Sequence, residues 1–325
     1  MPSTVTLAII GCGAIGEEHA RCLAALPGAS LRAFCDTDES RAAALSELHP
    51  GSYHTAHPAR IIADDSIEAV YICTHTDSHA SLGIAAAQAR KHIMMEKPLA
   101  LTEKECYDVA EAVDRAGILC MTAFKLRFYS CVRKVHQAIP APTVAIGQMM
   151  DERWPAEFWG NDPVRGGGNV LSQGCHSVDL LYYLVGAEPV RVYAEGGNIH
   201  HPTHAITDTL LATILFANGA VGTLVQGDAG RVPSLSKFSF QVMDGVRTAH
   251  LYNRLMTAVL WDGKESQRYD TNHEEGMLEE NRAFLTALQQ RTPPPLTVRD
   301  GVRATLVLLR AIESLTTHKP QTIQI

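Results

Sequence analysis

The chain has 325 residues, 46% of them hydrophobic and 19% charged, and a formal net charge of −7. This composition is typical of a globular protein long enough for two domains, and it excludes a disordered tail protein. A negative net charge with scattered Lys and Arg provides no basic surface for phosphate backbones. We therefore expect no nucleic-acid partner.

No apolar run approaches the roughly 20 residues that span a bilayer, so we expect no membrane association. The opening MPSTVTLAII has no basic segment before its apolar run and predicts no signal peptide. The cysteines lie mostly inside apolar segments and include no C-x-x-C pair, which indicates buried thiols in a reducing compartment. We expect a cytoplasmic protein. Cys12, in a glycine turn, is the one candidate for an exposed thiol, although packing in the turn is favoured over reactivity.

Short β-branched runs alternate with helical stretches up to residue 123, a pattern typical of βαβ units and a parallel sheet. Strands are predicted at 5–10, 31–36, 67–74, 92–97 and 117–124, and helices near 14–26, 38–47, 77–90 and 102–116. Right-handed crossovers join such units into one doubly wound sheet. The sequence therefore predicts an α/β protein whose residues 1–123 form an N-terminal Rossmann domain.

Longer alternating strands after residue 123 indicate a second domain with an antiparallel sheet. They are predicted at 143–152, 190–197, 208–216 and 220–228. The last two are joined by Ala217-Asn218-Gly219, whose Asn-Gly pair favours a hairpin turn. We predict that residues 124–325 form an α+β domain, with one sheet face covered by helices at 171–184, 275–290 and 299–317.

A glycine-rich turn, Gly11-Cys12-Gly13-Ala14-Ile15-Gly16, joins the first strand to the first helix, so G-x-G-x-x-G stands in its expected context. The glycines permit a tight turn and close approach of a pyrophosphate. The N–H groups of residues 13–16 form an anion site with the helix dipole. We predict that Gly11, Gly13, Ala14, Ile15 and Gly16 bind a dinucleotide.

Asp36 follows Gly16 by twenty residues and ends the second strand, where a ribose 2′-hydroxyl would lie. A carboxylate at this place repels a 2′-phosphate. NAD is therefore favoured over NADP as the cofactor. Arg41 is the residue that could reverse this preference.

The strand at 92–97 ends in Glu96-Lys97-Pro98, at the edge of a parallel sheet where ligands bind. A lysine that ends an apolar strand needs a polar cleft, a partner or solvent for its ammonium group. Pro98 restricts the backbone of Lys97 and so its direction. Lys97 can reach solvent, or it can donate a hydrogen bond or a proton to a substrate oxygen.

The stretch GNVLSQGCHSVDLL, residues 168–181, places Ser172, His176 and Asp179 on one face of a predicted helix. His176 has three interpretations: a packed core histidine, a member of a hydrolase triad, or a proton acceptor. The chain has no G-x-S-x-G elbow, and one helix alone provides no oxyanion hole, which argues against the hydrolase. Two polar neighbours favour the proton acceptor over the core residue.

Histidines elsewhere raise the alternative of a zinc site. The loop at 199–204, IHHPTH, and the pair His75 and His79 are the places where one would lie. Neither has a matching pattern of cysteines or carboxylates. We therefore predict no metal ion.

The chain resembles the Gfo/Idh/MocA family of NAD(P)-dependent sugar and cyclitol dehydrogenases almost from end to end. The motifs that carry the resemblance are, in order, GCGAIG, FCDTDESRA, VYICTHTDSHA, MEKP, FKLRF, GGGNVLSQGCHSVDLL, FANGAVGTL and DGVRATLVLLRAIESL. The resemblance implies a Rossmann domain followed by a substrate-binding and oligomerisation domain. This second domain would have a large open, mostly antiparallel sheet that forms a homodimer or homotetramer.

The resemblance also implies roles for single residues. Lys97 and His176 would be the catalytic pair, with Asp179 on the substrate. The residues near the cofactor would be Thr74, His75, His79, Glu96 and Lys97. Ser172 stands where the family commonly has Asp, so no carboxylate at this position raises the basicity of the imidazole.

The leading hypothesis is oxidation of a secondary alcohol on a sugar, sugar acid or cyclitol, with hydride transfer to NAD. His176 would accept the hydroxyl proton, Lys97 would polarise the oxygen, and Ser172 or Asp179 would steady the imidazole. Hydrogen-bond donors and a flat apolar wall suit a carbohydrate, and the candidates are Lys125, Arg127, Arg153, Trp159 and Arg165. For Arg127 the alternative is a structural ion pair across the domain boundary.

Two other functions remain open at this point. One is a non-catalytic regulator that binds NAD and a sugar-like ligand. The other is a redox-neutral NAD-dependent lyase or hydrolase, which oxidises its substrate transiently and reduces it again. Retention of both Lys97 and His176 argues against the regulator, whereas Ser172 leaves room for it.

Overall fold

The computed structural model describes residues 3–231 and 236–325. It divides into two compact units: unit 1 is Met1–Ala123 with Met277–Val302, and unit 2 is Phe124–Gly276 with Arg303–Ile325. The first division coincides with the predicted boundary after residue 123. The prediction that all of 124–325 forms the second domain is wrong for residues 277–302, which return to unit 1.

Unit 1 is built on a six-stranded parallel sheet, which confirms the predicted Rossmann architecture. The strands are β1 (Val5–Ile10), β2 (Ala29–Cys35), β3 (Tyr53–Thr55), β4 (Ala69–Ile72), β5 (His92–Met95) and β6 (Cys120–Thr122). Their order is β3-β2-β1-β4-β5-β6. The order reverses between β1 and β4, and ligands of such sheets bind beyond the carboxyl ends of the strands at this point.

Five helices follow the strands of unit 1 in the way the alternating pattern predicts. They are α1 (Ala14–Ala24), α2 (Glu39–Leu48), α3 (Pro58–Ile62), α4 (His79–Gln88) and α5 (Glu103–Ala116). Helix α5 has a capping residue at each end, which defines where it begins and ends. Thr102 and Glu105 form a capping box at its start, and Gly117 ends it in the left-handed conformation, with φ +63°.

Unit 2 contains a nine-stranded sheet that is mostly antiparallel, as predicted. The strands are β7 (Val144–Glu152), β8 (Pro189–Gly197), β9 (Thr209–Phe216), β10 (Val221–Gly230), β11 (Phe238–Met243), β12 (Thr248–Tyr252), β13 (Thr257–Trp261), β14 (Ser266–Asp270) and β15 (Gln321–Thr322). Their order is β14-β13-β12-β11-β7-β10-β9-β8-β15, and only β7 and β10 pair in parallel. The predicted hairpin joins β9 to β10, with Gly219 at φ +84°.

Helices α6 (Ser130–Ala138) and α7 (Gly168–Val185) belong to unit 2. Helix α7 packs on the nine-stranded sheet, where Leu181 lies against Gly147 of β7; a Cβ on Gly147 would be 3.2 Å from a Leu181 methyl carbon. Leu308 of helix α9 (Val298–Thr317) packs against Gly174 of α7 in the same way. Helix α7, which carries the predicted site residues Ser172, His176 and Asp179, therefore packs on the nine-stranded sheet.

Helix α8 (Glu275–Gln290) corrects the prediction that it covers the second sheet. Its residue Phe284 meets Tyr71 of β4 edge-on, with ring centroids 5.8 Å apart. Asn281 contacts His19 of α1, and Gln289 donates a hydrogen bond to the Ser3 carbonyl. The apolar stripe of a helix shows that one face is buried, but not which sheet buries it.

The prediction of no membrane association can be compared with the helices of the structure. Among residues 3–231 and 236–325, no helix combines the length and the apolar character that a membrane span requires. Met1 and Pro2, the start of the stretch that predicts no signal peptide, lie outside the described residues.

We expect Phe284→Ala to lower the stability of the parallel sheet by about 3–5 kcal/mol, because it removes a buried ring from α8. Hydrogen exchange read by mass spectrometry would show faster exchange in β1 and β4. Arg282→Ala, on the exposed side of the same helix, is the matched control and should leave exchange unchanged. Faster exchange confined to the nine-stranded sheet would contradict the assignment of α8 to unit 1.

Candidate active site

The glycine turn after β1 has the geometry of an anion cradle. Gly11 has φ +98°, and a Cβ on Gly16 would lie 1.9 Å from the Gly11 carbonyl oxygen, so neither position tolerates a side chain. A Cβ on Gly13 would meet nothing within 4 Å, which leaves its backbone open to a ligand. Ala14 and Ile15 begin α1, whose first-turn N–H groups attract negative charge. These residues fit a pyrophosphate.

Asp36 stands directly after β2 and is tied to the glycine turn. Its Oδ2 accepts a hydrogen bond from the Cys12 amide at 2.8 Å, and its Oδ1 accepts one from the Asp38 amide at 2.9 Å. Arg41 pairs with Asp38, at 3.4 Å from Nε to Oδ2. Cys12 is buried, as expected if it packs in the turn. Burial, together with the nearby Asp36, raises the pKa of its thiol to about 12.

The predicted cofactor residues after β4 form a hydrogen-bonded turn. The Ser78 hydroxyl donates to Thr74 Oγ1 at 2.6 Å and contacts the His75 carbonyl at 2.9 Å. His79 is buried, with Nδ1 2.8 Å from the Pro98 carbonyl oxygen and Nε2 3.1 Å from the Thr74 carbonyl oxygen. Burial lowers the pKa of His79, although the two carbonyl acceptors oppose this shift. His79 therefore joins the strand ends of β4 and β5, and its contact with a cofactor stays a prediction.

Glu96 turns into the interior of unit 1, beside Lys97. Its Oε2 accepts a hydrogen bond from the Lys97 amide at 3.1 Å, and its Oε1 lies 3.3 Å from His19 Nε2. His19 Nδ1 in turn lies 3.0 Å from Asn281 Oδ1. Burial raises the pKa of Glu96, but the hydrogen bond from His19 and the interactions with His19 and Lys97 outweigh it, and the net shift is downward.

The sequence pattern did not point to His19 or Asn281. The available signal is a histidine three residues after Gly16, on the face of α1 that is buried. No local signal exists for Asn281, because its contact with His19 joins positions 262 residues apart in the chain.

Ser172, His176 and Asp179 all lie in α7, as predicted, and all three are buried. The His176 ring meets Phe124 edge-on, with ring centroids 6.0 Å apart. This packing fits a histidine whose ring direction is fixed. Lys97 belongs to unit 1 and His176 to unit 2, so their convergence on one substrate atom stays a prediction.

Asp179 is engaged by Arg127 within unit 2. Arg127 Nε donates to Asp179 Oδ2 at 2.8 Å, and a second, shorter bond joins Arg127 Nη2 to Oδ1. The guanidinium group also lies over the rings of Tyr182 and Tyr183, at 5.5 and 5.3 Å from their centroids. The pair is therefore structural, and it lies inside unit 2 rather than across the predicted boundary. Substrate contact by either residue stays a prediction.

The remaining predicted substrate residues all belong to unit 2, and none is fully buried: Lys125, Arg153, Trp159 and Arg165. Arg153 Nη2 donates to the His200 carbonyl at 2.6 Å. The Trp159 ring lies 5.4 Å from that of Phe158, within a small aromatic cluster. Such a cluster can offer a flat wall to a sugar ring.

The histidine loop at 199–204 is organised by carboxylates. The Asp208 carboxylate accepts hydrogen bonds from the amides of Ile199, His200 and His201, and His201 Nε2 lies 2.6 Å from Asp228 Oδ2. In the parts of the chain that the structure describes, no three His, Cys, Asp or Glu side chains group as a metal site. The loop is held by hydrogen bonds within unit 2.

Comparison with known proteins places both units in one family. The model described as an oxidoreductase family with an NAD-binding Rossmann fold matches residues 5–124, and the GFO/IDH/MocA C-terminal domain matches residues 141–241. Together they cover more than half of the chain. The chain belongs to the Gfo/Idh/MocA oxidoreductase family. The glycine turn and Asp36 thus lie in the family's NAD-binding domain.

Within the Gfo/Idh/MocA family, the chain is similar to two inositol dehydrogenases and to one solved sugar dehydrogenase structure. It is 31% identical to scyllo-inositol 2-dehydrogenase (NAD(+)) of Bacillus subtilis over 68% of the chain and 67% of the relative. It is 28% identical to myo-inositol 2-dehydrogenase of Thermotoga maritima over 95% and 96%. Levoglucosan dehydrogenase in complex with NADH superposes with a TM-score of 0.91 at 22% identity, covering 99% of this chain and 100% of that one, which shows a shared fold.

We expect Arg127→Met to destabilise unit 2 by about 3–5 kcal/mol, because it leaves a buried carboxylate without its partner. Chemical denaturation, followed by the fluorescence of the tryptophans, would measure this loss. Arg127→Met combined with Asp179→Leu removes both charges and should recover most of it. A double variant as unstable as the single one would contradict the pairing.

Proposed function

We propose that this protein is an NAD-dependent dehydrogenase that oxidises a secondary alcohol of a sugar, a sugar acid or a cyclitol. The observation that carries the proposal is the common position of the glycine turn, Asp36 and Lys97 after strands β1, β2 and β5 of one parallel sheet. The names of the inositol dehydrogenases among the relatives support the polyol class.

The residues that would hold NAD lie in unit 1. Gly11, Gly13 and Gly16 leave room for the pyrophosphate, and the start of α1 provides its N–H donors. The Asp36 carboxylate would accept a hydrogen bond from a ribose hydroxyl. When bound, the cofactor supplies the hydride acceptor.

The chain's own residues would handle the proton. Oxidation removes a hydride from the carbon and a proton from its hydroxyl group, and a ketone remains. The His176 imidazole would accept this proton, and the Lys97 ammonium would donate a hydrogen bond to the same oxygen. Ser172, or Asp179 held by Arg127, would steady the imidazole, and Asp179 would also contact the substrate.

The serine at position 172 is compatible with two alternative functions. A serine cannot hold an imidazole by charge, as the Asp implied by the resemblance would. A regulator that binds NAD and a sugar, or a redox-neutral lyase or hydrolase, would tolerate this change. A panel of sugars and inositols, followed by NADH absorbance and product analysis, separates them: net NADH supports the dehydrogenase, product without net NADH the redox-neutral enzyme, and binding without turnover the regulator.

We also propose a homodimer or homotetramer. Exposed apolar side chains lie on the nine-stranded sheet: Ile146, Leu211, Val221 and Trp261. Burial of such side chains against a second copy would be favourable. Light scattering of the purified protein would contradict this proposal if it gave the mass of one chain, 35.3 kDa.

We expect His176→Ala to lower kcat by about 10²–10⁴, the usual contribution of a general base, with NAD affinity close to that of the parent. Steady-state kinetics with the best polyol of the panel, and a binding titration with NAD, would measure the two effects. His273→Ala, on an exposed turn, is the control histidine. Turnover by His176→Ala as fast as that of the parent would contradict the assigned role.

We expect Asp36→Asn to reduce the preference for NAD over NADP by about 10- to 100-fold, because a hydrogen bond to a charged group is worth about 1.5–3 kcal/mol. The ratio of kcat/KM with the two cofactors measures this preference. Glu39→Gln, at an exposed carboxylate that begins α2, is the matched control and should leave the ratio unchanged. A parent that prefers NADP would overturn the assignment to NAD.

A further inference from the structure

We propose that His19 is a positioning residue that couples the anion-binding helix α1 to Lys97 through the carboxylate of Glu96. The inference rests on the proposed function, in which Lys97 acts on the substrate oxygen. It concerns residues of unit 1 alone.

Acceptors on both sides orient the His19 ring. The Asn281 amide nitrogen donates to the Met277 carbonyl at 2.8 Å, so Asn281 Oδ1 is the atom that faces His19 Nδ1. On the other side of the ring, Nε2 faces the Glu96 carboxylate at 3.3 Å. The ring therefore stands between Asn281 of α8 and Glu96 at the end of β5.

Through their contact, His19 and Glu96 connect two parts of unit 1, helix α1 and the end of β5. His19 lies in α1, one turn beyond the glycine cradle, and is fully buried. The other oxygen of Glu96 accepts from the backbone amide of Lys97. A single carboxylate thus connects the helix that receives the cofactor's phosphates to the backbone of the lysine. A buried ion pair contributes little net stability, so geometry is the property that it best supplies.

Several ionisable groups surround Glu96. Those that interact with Glu96 are His19 from α1, Cys73 just after β4, His79 from α4 and Lys97 at the end of β5. Tyr71 of β4 packs on the His19 ring, and Glu280 of α8 interacts with Tyr71 and Cys73. His19 and Lys97 both lower the pKa of Glu96. Without a donor from His19, Glu96 Oε1 would lose its hydrogen bond, and the carboxylate would turn toward the lysine ammonium and draw it away from the substrate.

The test compares His19→Leu, which removes both ring nitrogens, with His19→Gln, which keeps an N–H donor. Leu23→Ala on the same helix is the matched control, because it disturbs the core without touching Glu96. We expect His19→Leu to lower kcat at least tenfold with the KM for NAD within about threefold, His19→Gln to retain most of kcat, and Leu23→Ala to lower only the melting temperature. Parent-like kcat in His19→Leu would overturn the proposal, as would equal losses in the two His19 variants.

A second readout does not depend on turnover. Lys97 in the cofactor-free protein is labelled with pyridoxal phosphate and borohydride, and mass spectrometry measures its rate relative to Lys104. We expect His19→Leu, or His19→Ala if the leucine variant does not fold, to slow the labelling of Lys97 at least threefold, and His19→Gln to label at close to the parent rate. An unchanged rate would overturn the coupling. Slower labelling in a protein whose parent oxidises no polyol would support the coupling and refute the proposed function.

Discussion

Parallel strands end at one edge of their sheet, and the candidate cofactor site depends on this constraint. The turn at Gly11 follows β1, Asp36 follows β2, Thr74 follows β4 and Lys97 follows β5. These positions are far apart in the chain and adjacent in the sheet. Hydrogen bonds between the strand ends hold them in place, from the Cys12 amide to Asp36 and from His79 to its two carbonyl partners.

Two buried carboxylates each form an ion pair within their own unit. Glu96 precedes the lysine of the strand end, and Asp179 follows the helix histidine, so each invites a role at the cofactor or the substrate. The structure pairs Glu96 with His19 and Asp179 with Arg127, and a contact of either carboxylate with a ligand stays a prediction. A charge without solvent must be paired, and the nearest cation of the same unit provides the partner.

Family membership and the serine at position 172 bear on different parts of the protein. Membership rests on the two domains and includes the NAD-binding fold of unit 1. Ser172 affects the surroundings of one imidazole in unit 2, where Phe124 packs against the His176 ring. The ion pair of Asp179 with Arg127 lies on the same helix, three residues after His176.

The sequence by itself determined the features that depend on near neighbours. The turn at residues 11–16, the capping of α5 and the hairpin at Gly219 are local, because each needs a particular residue at a particular backbone conformation. The alternating pattern also determined the parallel sheet and the mostly antiparallel one. Short strands such as β3, with three residues, carry too little pattern to be predicted.

Only the tertiary structure decided which distant groups meet. Helix α8 shows an apolar stripe in the sequence, yet its packing on Tyr71 in unit 1 depends on how the chain returns after unit 2. The same return brings Asn281 to His19. A buried polar side chain needs a hydrogen-bond partner. The packed fold decides which residue that partner is, because residues hundreds of positions apart in the chain are brought together in the interior.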